Sequence, residues 1–437
     1  MRASVIGLGK LGSCLAVCLA YKGIETIGLD VNQSSVDAIN AGKAPVSEPE
    51  LQEKLAASQK RLTATTNYED IINESDITFL VTPTPSQADG HFSDRYLQDA
   101  LQPLAAALKK SHKDYHLFVV TSTVSPGTTD ANLVPLIEKH SGRKLNQGFG
   151  VCYSPEFIAL GSVIRDFLNP DLLLIGESDR CAGDRLAEIY KITCENKPQV
   201  SRMSIISAEI TKISLNAYIT MKISFANTLA SICQDVPGAD IDDISHALGA
   251  DKRISPYYIR GGPAYGGPCF PRDNRAFATF AGKYGHQAVL AQATDKVNHA
   301  QVHHLIDLVL NNLPTDKKVS VFGLAYKLNT PVIEESASVK LIEELLGRKV
   351  RITVFDPLSE ENARKAFGDK VEYAGSIEEC LSASACWIFA LAYPELKSLG
   401  EKNVTRNPTV IIDCWRSIDP AQFGKKIKYI ALGKAKP

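Results

Sequence analysis

Within its 437 residues the chain has no apolar run long enough to cross a membrane. Nor does one sign of charge dominate. Lys and Arg number 48 against 49 Asp and Glu, for a formal net charge of −1. That balance gives no electrostatic footprint for nucleic acid or an acidic membrane surface, so neither is expected as a partner. Nothing in the chain is low-complexity. Ten cysteines occur, but no C-x-x-C pair and no short-chain framework. Scattered thiols in a long chain point to a reduced, cytoplasmic protein. His299, His303 and His304 fall at helical spacing, yet no second cluster of ligands accompanies them, so no metal is expected. The stretch from Arg2 to Ala20 superficially resembles a signal peptide. Lys10 and three spaced glycines interrupt it, and a nucleotide-binding turn explains them better. The chain is too long for one core, so two or three domains are expected.

Among what is there, the opening strand Ala3-Ser4-Val5-Ile6 leads into Gly7-Leu8-Gly9-Lys10-Leu11-Gly12 and then a helical pattern to Tyr21. A second strand, Thr26-Ile27-Gly28-Leu29, ends at Asp30. Strand, G-x-G-x-x-G, helix and a later acid in register make a dinucleotide fold. Bare glycines let the backbone meet a pyrophosphate at a helix N-terminus, while Asp30 can accept from the ribose hydroxyls. An acid at that place favours NAD over NADP. Lys10 is open between a phosphate contact and a solvated side chain. Further strands run 76–81 and 117–120, ending at Thr82-Pro83-Thr84-Pro85 and Thr121-Ser122-Thr123. Hydroxyls at such strand ends are candidate cofactor or substrate contacts, or ordinary helix caps. Phe149 to Tyr153 then runs into Ser154-Pro155-Glu156-Phe157, which sets a carboxylate at a strand end suited to acid/base work.

From about Ser204 the pattern turns helical for some thirty residues, with Glu209, Lys212 and Asn216 forming one polar stripe. Lys222 reads as a snorkelling lysine. A long apolar helix between two α/β units also suits a dimer seam. The most unusual stretch follows at Gly261-Gly262-Pro263-Ala264-Tyr265-Gly266-Gly267-Pro268-Cys269-Phe270-Pro271-Arg272-Asp273. Glycines leave the backbone open to a ligand. With Pro271 as the first helical residue, Cys269 lies ahead of a helix N-terminus, where peptide dipoles favour a thiolate. Asp273 in the first turn is an ionisable partner, so nucleophile and partner share a small space.

After a helical stretch through Asn312, strands at 319–324 and 351–356 echo the opening pair, with further strands at 387–390 and 410–413. A second doubly wound domain is expected. Its glycine motif is reduced to Gly323-Leu324-Ala325-Tyr326-Lys327, so it is expected to hold something other than a dinucleotide, with Lys327 available to a phosphate. The fold class is therefore α/β, with two doubly wound Rossmann-like domains joined by a central long-helix region. The expected boundaries are 1–198 for the cofactor domain, 199–312 for the helical dimerisation domain with the cysteine loop, and 313–437 for the last domain.

Six segments in order resemble the UDP-glucose/GDP-mannose dehydrogenase family. They are the glycine motif, Ser122-Thr123-Val124-Ser125-Pro126-Gly127-Thr128, Ser154-Pro155-Glu156-Phe157, Asp166-Phe167-Leu168-Asn169-Pro170-Asp171, Lys212 to Asn216, and Gly266 to Asp273. The resemblance implies oxidation of the C6 alcohol of a nucleotide sugar to a carboxylate with two NAD and no metal. It implies a first hydride transfer to NAD with Asp273 and Lys212 holding the water that takes the proton. Cys269 then adds to the aldehyde, a second hydride transfer yields a thioester, and water hydrolyses it. Lys212 and Asn216 stabilise the oxyanions, Glu156 handles protons, and Thr123 orients water or cofactor. The resemblance also implies cofactor contacts from Gly7, Gly9, Lys10, Leu11, Gly12, Asp30, Thr84 and Thr123. On the substrate side it implies Glu156, Phe157, Lys212, Asn216, Tyr257, Gly266, Phe270 and Lys327, with Arg253 reaching a partner subunit's substrate in a homodimer.

Departures from the family pattern bear on this reading. Relatives carry Phe-Leu-Arg-Glu-Gly where this chain has Phe157-Ile158-Ala159-Leu160-Gly161, so the Glu associated with thioester hydrolysis is absent. In the last domain Asn-Thr-Asp-Asp-x-Arg becomes Asn329-Thr330-Pro331-Val332-Ile333-Glu334, which removes a phosphate-binding arginine that Arg416 is a candidate to replace. Lys10 also stands where an aromatic residue is usual. Phe270 and Pro271 match the UDP-glucose form of the cysteine loop, so UDP-glucose is the expected substrate. UDP-N-acetylhexosamine and GDP-mannose are the alternatives, and a catalytically impaired NAD/nucleotide-sugar-binding protein is the alternative of another class.

Overall fold

The computed structural model describes residues 1–404, 409–424 and 427–435. Contacts divide the chain into two compact units, Met1–Ile213 and Ser214–Pro437. The first holds β1 (Ala3–Ile6), β2 (Thr26–Leu29), β3 (Leu62–Thr65), β4 (Ile77–Leu80), β5 (His116–Val120), β6 (Phe149–Tyr153), β7 (Leu172–Glu177) and β8 (Gln199–Met203). They form one sheet in the order β3-β2-β1-β4-β5-β6-β7-β8, parallel except where β7 runs against β6. Strands β1, β2, β4, β5 and β6 are buried along their whole length, as a parallel sheet covered on both faces requires. Alternate residues serve opposite faces. Val5, Phe79, Leu117 and Val119 join the core that includes the helix Lys10–Tyr21. Ile6, Leu80, Phe118 and Val120 meet Leu97, Leu101, Leu104 and Leu108 of the helix Arg95–Lys110, whose leucines recur at the three-to-four spacing of one helix face.

The second unit carries a six-stranded, all-parallel sheet in the order β11-β10-β9-β12-β13-β14. Its strands are β9 (Lys318–Phe322), β10 (Arg351–Phe355), β11 (Glu372–Tyr373), β12 (Cys386–Phe389), β13 (Thr409–Asp413) and β14 (Ile427–Ala431). In both sheets the first strand lies beside the fourth, so the chain direction across the sheet reverses there, where such folds place ligands. The expected pair of doubly wound sheets is thus present. A 31-residue helix, Ile205–Asp235, runs through the boundary between the units. Helices Ile241–Ala250, Phe270–Lys283 and Val289–Leu310 follow it. Among the described residues no helix is long and apolar enough to cross a membrane.

Candidate active site

The glycine turn of the first unit sits at the C-terminal end of β1. Gly7 takes a φ of +91°, and its N–H donates to the Leu29 carbonyl at 2.7 Å. A Cβ on Gly12 would stand 1.7 Å from the Gly7 carbonyl oxygen, whereas Gly9 faces open space. Only glycine closes the turn this tightly. The exposed Gly9, Lys10 and Leu11 thus present bare backbone at the start of the helix Lys10–Tyr21, and these residues fit a pyrophosphate. Asp30 accepts from Leu8 N–H at 2.6 Å and Asn32 N–H at 2.8 Å. It therefore anchors the turn with two of the about four acceptor positions a carboxylate has. Thr84 and Thr123 come together beyond β4 and β5, where the Thr84 hydroxyl donates to the Thr123 carbonyl at 2.7 Å.

The polar stripe on the long helix proves to be a set of anchors. Glu209 is fully buried and accepts from Gly127 N–H at 2.5 Å and Thr129 N–H at 3.1 Å. It grips the turn that follows Ser122 and Thr123. Burial raises its pKa while those bonds pull the other way. Lys212, one turn on, donates its ammonium to the Glu156 main-chain carbonyl at 2.5 Å and lies 4.5 Å from the centre of the Phe157 ring. Glu156 follows β6. Burial pushes its carboxyl up to about 7, against the opposing pull of the Lys212 charge. A carboxyl there exchanges its proton near neutrality, as acid/base work requires. Glu48 accepts from Gly161 N–H at 3.2 Å and Val163 N–H at 2.9 Å, and so holds the segment in which Ala159 and Leu160 replace the family's Arg and Glu.

In the second unit the helix begins at Phe270, one residue earlier than expected, with Cys269 as its N-cap and exposed. Asp273 is buried. It accepts from Asn216 Nδ2 at 2.6 Å and Arg272 Nε at 3.2 Å. Asn216 and Asp273 are thus joined directly. Arg272, which sequence reasoning passed over, stands beside them; its one signal is adjacency to Asp273. Phe270 packs edge-on against Tyr258 and Tyr265, with ring centres 6.1 and 6.3 Å away. Tyr257 is exposed, and Arg253, paired with Asp251 at 2.6 Å, is exposed too. Gly266 is buried in the cysteine turn, and Lys327 lies 5.9 Å from the Tyr326 ring centre.

Two further cationic side chains are hydrogen-bonded within the fold. Lys222 donates to the Ile254 carbonyl at 2.9 Å. Arg416 does not replace the lost phosphate-binding arginine: its buried guanidinium forks onto Asp242 at 2.8 and 2.9 Å and donates to the Gly261 and Leu432 carbonyls. Those four hydrogen bonds commit it to the fold, because a buried charge must be paired. Among the described residues no group of three or more His, Cys, Asp or Glu could hold a metal. His304 Nε2 instead meets Gln234 Oε1 at 2.9 Å.

Comparison with known proteins bears on these sites. Residues 1–194 match the NAD-binding domain of the UDP-glucose/GDP-mannose dehydrogenase family, 206–300 its central domain and 320–420 its UDP-binding domain. The chain is 35% identical over 419 residues to UDP-glucose 6-dehydrogenase AglM of Haloferax volcanii, covering 94% of this chain and 96% of that one. It is 34% identical to GDP-mannose 6-dehydrogenase of Azotobacter vinelandii, over 82% of this chain and 81% of that protein. Its fold superposes on a UDP-glucose dehydrogenase from the hyperthermophilic archaeon Pyrobaculum islandicum with a TM-score of 0.90 at 31% identity, covering 99% and 98% of the two chains. The glycine cradle, the two doubly wound sheets and matches along nearly the whole chain lead to one conclusion: this chain belongs to the UDP-glucose/GDP-mannose dehydrogenase family, with an NAD-binding domain and a nucleotide-sugar-binding domain.

Proposed function

We propose that this chain oxidises the C6 alcohol of UDP-glucose to UDP-glucuronate through a thioester on Cys269. The observation that carries the reading is an exposed thiol at the N-cap of the helix Phe270–Lys283, with the buried Asp273 and Asn216 pair on the same turn and its neighbour helix. Helix dipole and N-terminal amides favour the thiolate. When bound at the glycine turn, NAD supplies the hydride acceptor for both two-electron oxidations. Cys269 Sγ bonds to the aldehyde carbon, the carbonyl oxygen takes up negative charge, and the Lys212 ammonium and Asn216 amide stabilise that charge. Asp273 and Lys212 hold the water that takes the first proton. Once the thioester has formed, water adds to its carbon and the thiolate leaves. Leu160 cannot serve as a base for that water, so Glu156, near half-ionised at neutral pH, is assigned the role. Thr123 orients water or cofactor, and Thr84 holds Thr123. Lys327 meets a substrate phosphate, while Phe157, Tyr257, Gly266 and Phe270 line the sugar's path.

The functional domains are 1–198, 199–312 and 313–437, and the location is cytoplasmic. A homodimer is supported by Tyr218, Phe225 and Ile232, exposed apolar residues repeating every seventh position on the long helix, which form a stripe on one helix face. The exposed Arg253 is the residue assigned to the partner's substrate. GDP-mannose is the second reading, favoured by 34% identity to a GDP-mannose 6-dehydrogenase.

A stoichiometric assay with NAD and a panel of nucleotide sugars tests the function. About two NADH per UDP-glucose are expected, as two sequential oxidations demand. One NADH per sugar would show that the thioester step or its hydrolysis fails, and none despite NAD binding would identify a binding protein. Cys269→Ala should lower acid formation by about a thousandfold or more; wild-type acid yield from it would eliminate the covalent route.

A further inference from the structure

Between β9 and the helix Ala337–Gly347 runs the loop 323–336, and it closes on the cysteine turn. The Glu334 carbonyl accepts from Gly267 N–H at 2.9 Å. A Cβ on Gly266 would come 2.2 Å from the Glu335 carbonyl oxygen, and one on Gly267, at a φ of +82°, 2.6 Å from the Tyr326 ring. Both glycines of the turn are therefore filled against this loop, with no space left between them. Glu335 takes a φ of +53°, uncommon outside glycine, and pairs with Arg275 at 3.4 Å and Lys340 at 2.5 Å. Arg275 lies on the helix that Cys269 caps. At its root the loop is held by Asp356, which accepts from Leu324 and Ala325 N–H at 2.8 and 3.0 Å. Tyr326 N–H donates to the Val332 carbonyl at 3.1 Å and folds the loop back on itself. One residue beyond Tyr326 is Lys327, the candidate phosphate contact of the second sheet.

We propose that Tyr326 is a positioning residue for the Cys269 turn, and that loop 323–336 transmits nucleotide occupancy of the second doubly wound sheet to the thiol. The proposal rests on the reading of Cys269 as nucleophile and Lys327 as a phosphate contact. A diphosphate that draws Lys327 toward itself moves Tyr326, and the ring bears directly on Gly267, two residues from Cys269. A nucleophile must be held to a fraction of an ångström by supporting side chains. A loop packed this closely shifts as a unit rather than absorbing the displacement.

The test is the rate at which iodoacetamide alkylates Cys269, read by peptide mass spectrometry in the full-length protein, with and without uridine diphosphate. Cys181, the other exposed thiol, serves as reference within the same molecule. In the wild type the nucleotide should change the Cys269 rate by about fivefold, the low end of coupling between two sites. Tyr326→Ala should change the rate without nucleotide by a similar factor and remove the response to nucleotide. Tyr326→Phe keeps the ring and should behave as wild type. An unchanged basal rate in Tyr326→Ala, an equal nucleotide response in both proteins, or a Phe variant indistinguishable from the Ala variant would each overturn the proposal. If calorimetry finds no uridine diphosphate binding to the wild type while Tyr326→Ala still alters the basal rate, the phosphate reading of Lys327 falls and the positioning role stands. Should Tyr326→Ala not fold, Glu335→Gln removes the Arg275 and Lys340 pairs instead. A changed Cys269 rate in it supports the brace, and an unchanged one overturns it.

Discussion

The two doubly wound sheets begin in the same way and then part. After β1 and after β9 comes a glycine at positive φ, Gly7 at +91° and Gly323 at +101°. Each donates its N–H to the last residue of the neighbouring strand, Leu29 or Phe355, and in each sheet the next residue is an aspartate that accepts from the turn. From there the first turn enters its helix within residues 7–9, and the second wanders through 323–336 before a helix starts. The short version keeps helix N-terminus and bare glycine together, which is what an anion needs. The long version gives that up and supplies a surface that packs on the cysteine turn. The two aspartates differ accordingly. Asp30 spends two bonds and stays half-buried, whereas the buried Asp356 accepts four backbone N–H groups, from Leu324, Ala325, Leu358 and Ser359. One carboxylate has acceptor positions to offer a ligand; the other is saturated by its own loop.

Gly12→Val should separate the two turns most strongly, because it forces side-chain atoms into the Gly7 carbonyl. NAD affinity should fall by about a hundredfold, or ~3 kcal/mol, with uridine diphosphate binding unchanged by calorimetry. Loss of both would mean that the two sheets are not separate binding units. Next come the paired aspartates. Asp356→Asn turns one accepting oxygen into a donor facing two N–H groups and should cost about 3 kcal/mol of stability. Asp30→Asn should weaken NAD about tenfold, close to 1.4 kcal/mol, and leave the melting temperature nearly in place. Equal melting shifts for both would show that the two aspartates carry the same structural load.

The smallest effect concerns acid. At the second position of β1, Ser4 is the start of a buried chain, with Thr78 at 2.7 Å and His116 Nε2 a further 2.7 Å on. The equivalent Ser320 of β9 pairs in register with Trp387, which titrates nothing. Burial, with the nearby Lys113 charge, depresses His116 from its ordinary 6.5 to about 3. The folded chain thus stays unprotonated where the unfolded chain takes up a proton. This contribution is intact above pH 6.5 and is lost progressively as pH falls from 6.5 toward 3. Both tryptophans, Trp387 and Trp415, lie in the second unit. Circular dichroism should therefore report loss of structure at a higher pH than tryptophan fluorescence does, and His116→Gln should narrow the gap. Coincident transitions would show that His116 does not set the acid limit of the first unit.

Much of the first sheet was legible because its strands are short apolar runs closed by turn residues. β1, β2 and β6 fall where the pattern puts them. β3, β7, β8, β11 and β14 escaped notice. β8 and β11 lie at sheet edges with partly exposed faces, where no continuous apolar run is needed. The candidate site was legible as residue types: Cys269, Lys212, Asn216, Asp273 and Glu156 were all singled out. Their partners were not. Glu209 gripping Gly127 and Thr129, Arg272 beside Asp273 and Asp242 claiming Arg416 each depend on the fold. Most of these contacts join residues far apart in the chain, and no local periodicity carries that information.

The amino-acid order alone therefore determined the glycine cradle, the cysteine cap, the long helix and the family, because each depends on residues within a few turns of one another. Tertiary structure decided which carboxylates are spent on backbone and which stay open, that β7 runs against β6, and that the loop after β9 packs on the cysteine turn. The physical reason is that burial and hydrogen-bond saturation are properties of a packed environment. The same Asp at a strand end accepts two backbone N–H groups in one sheet and four in the other.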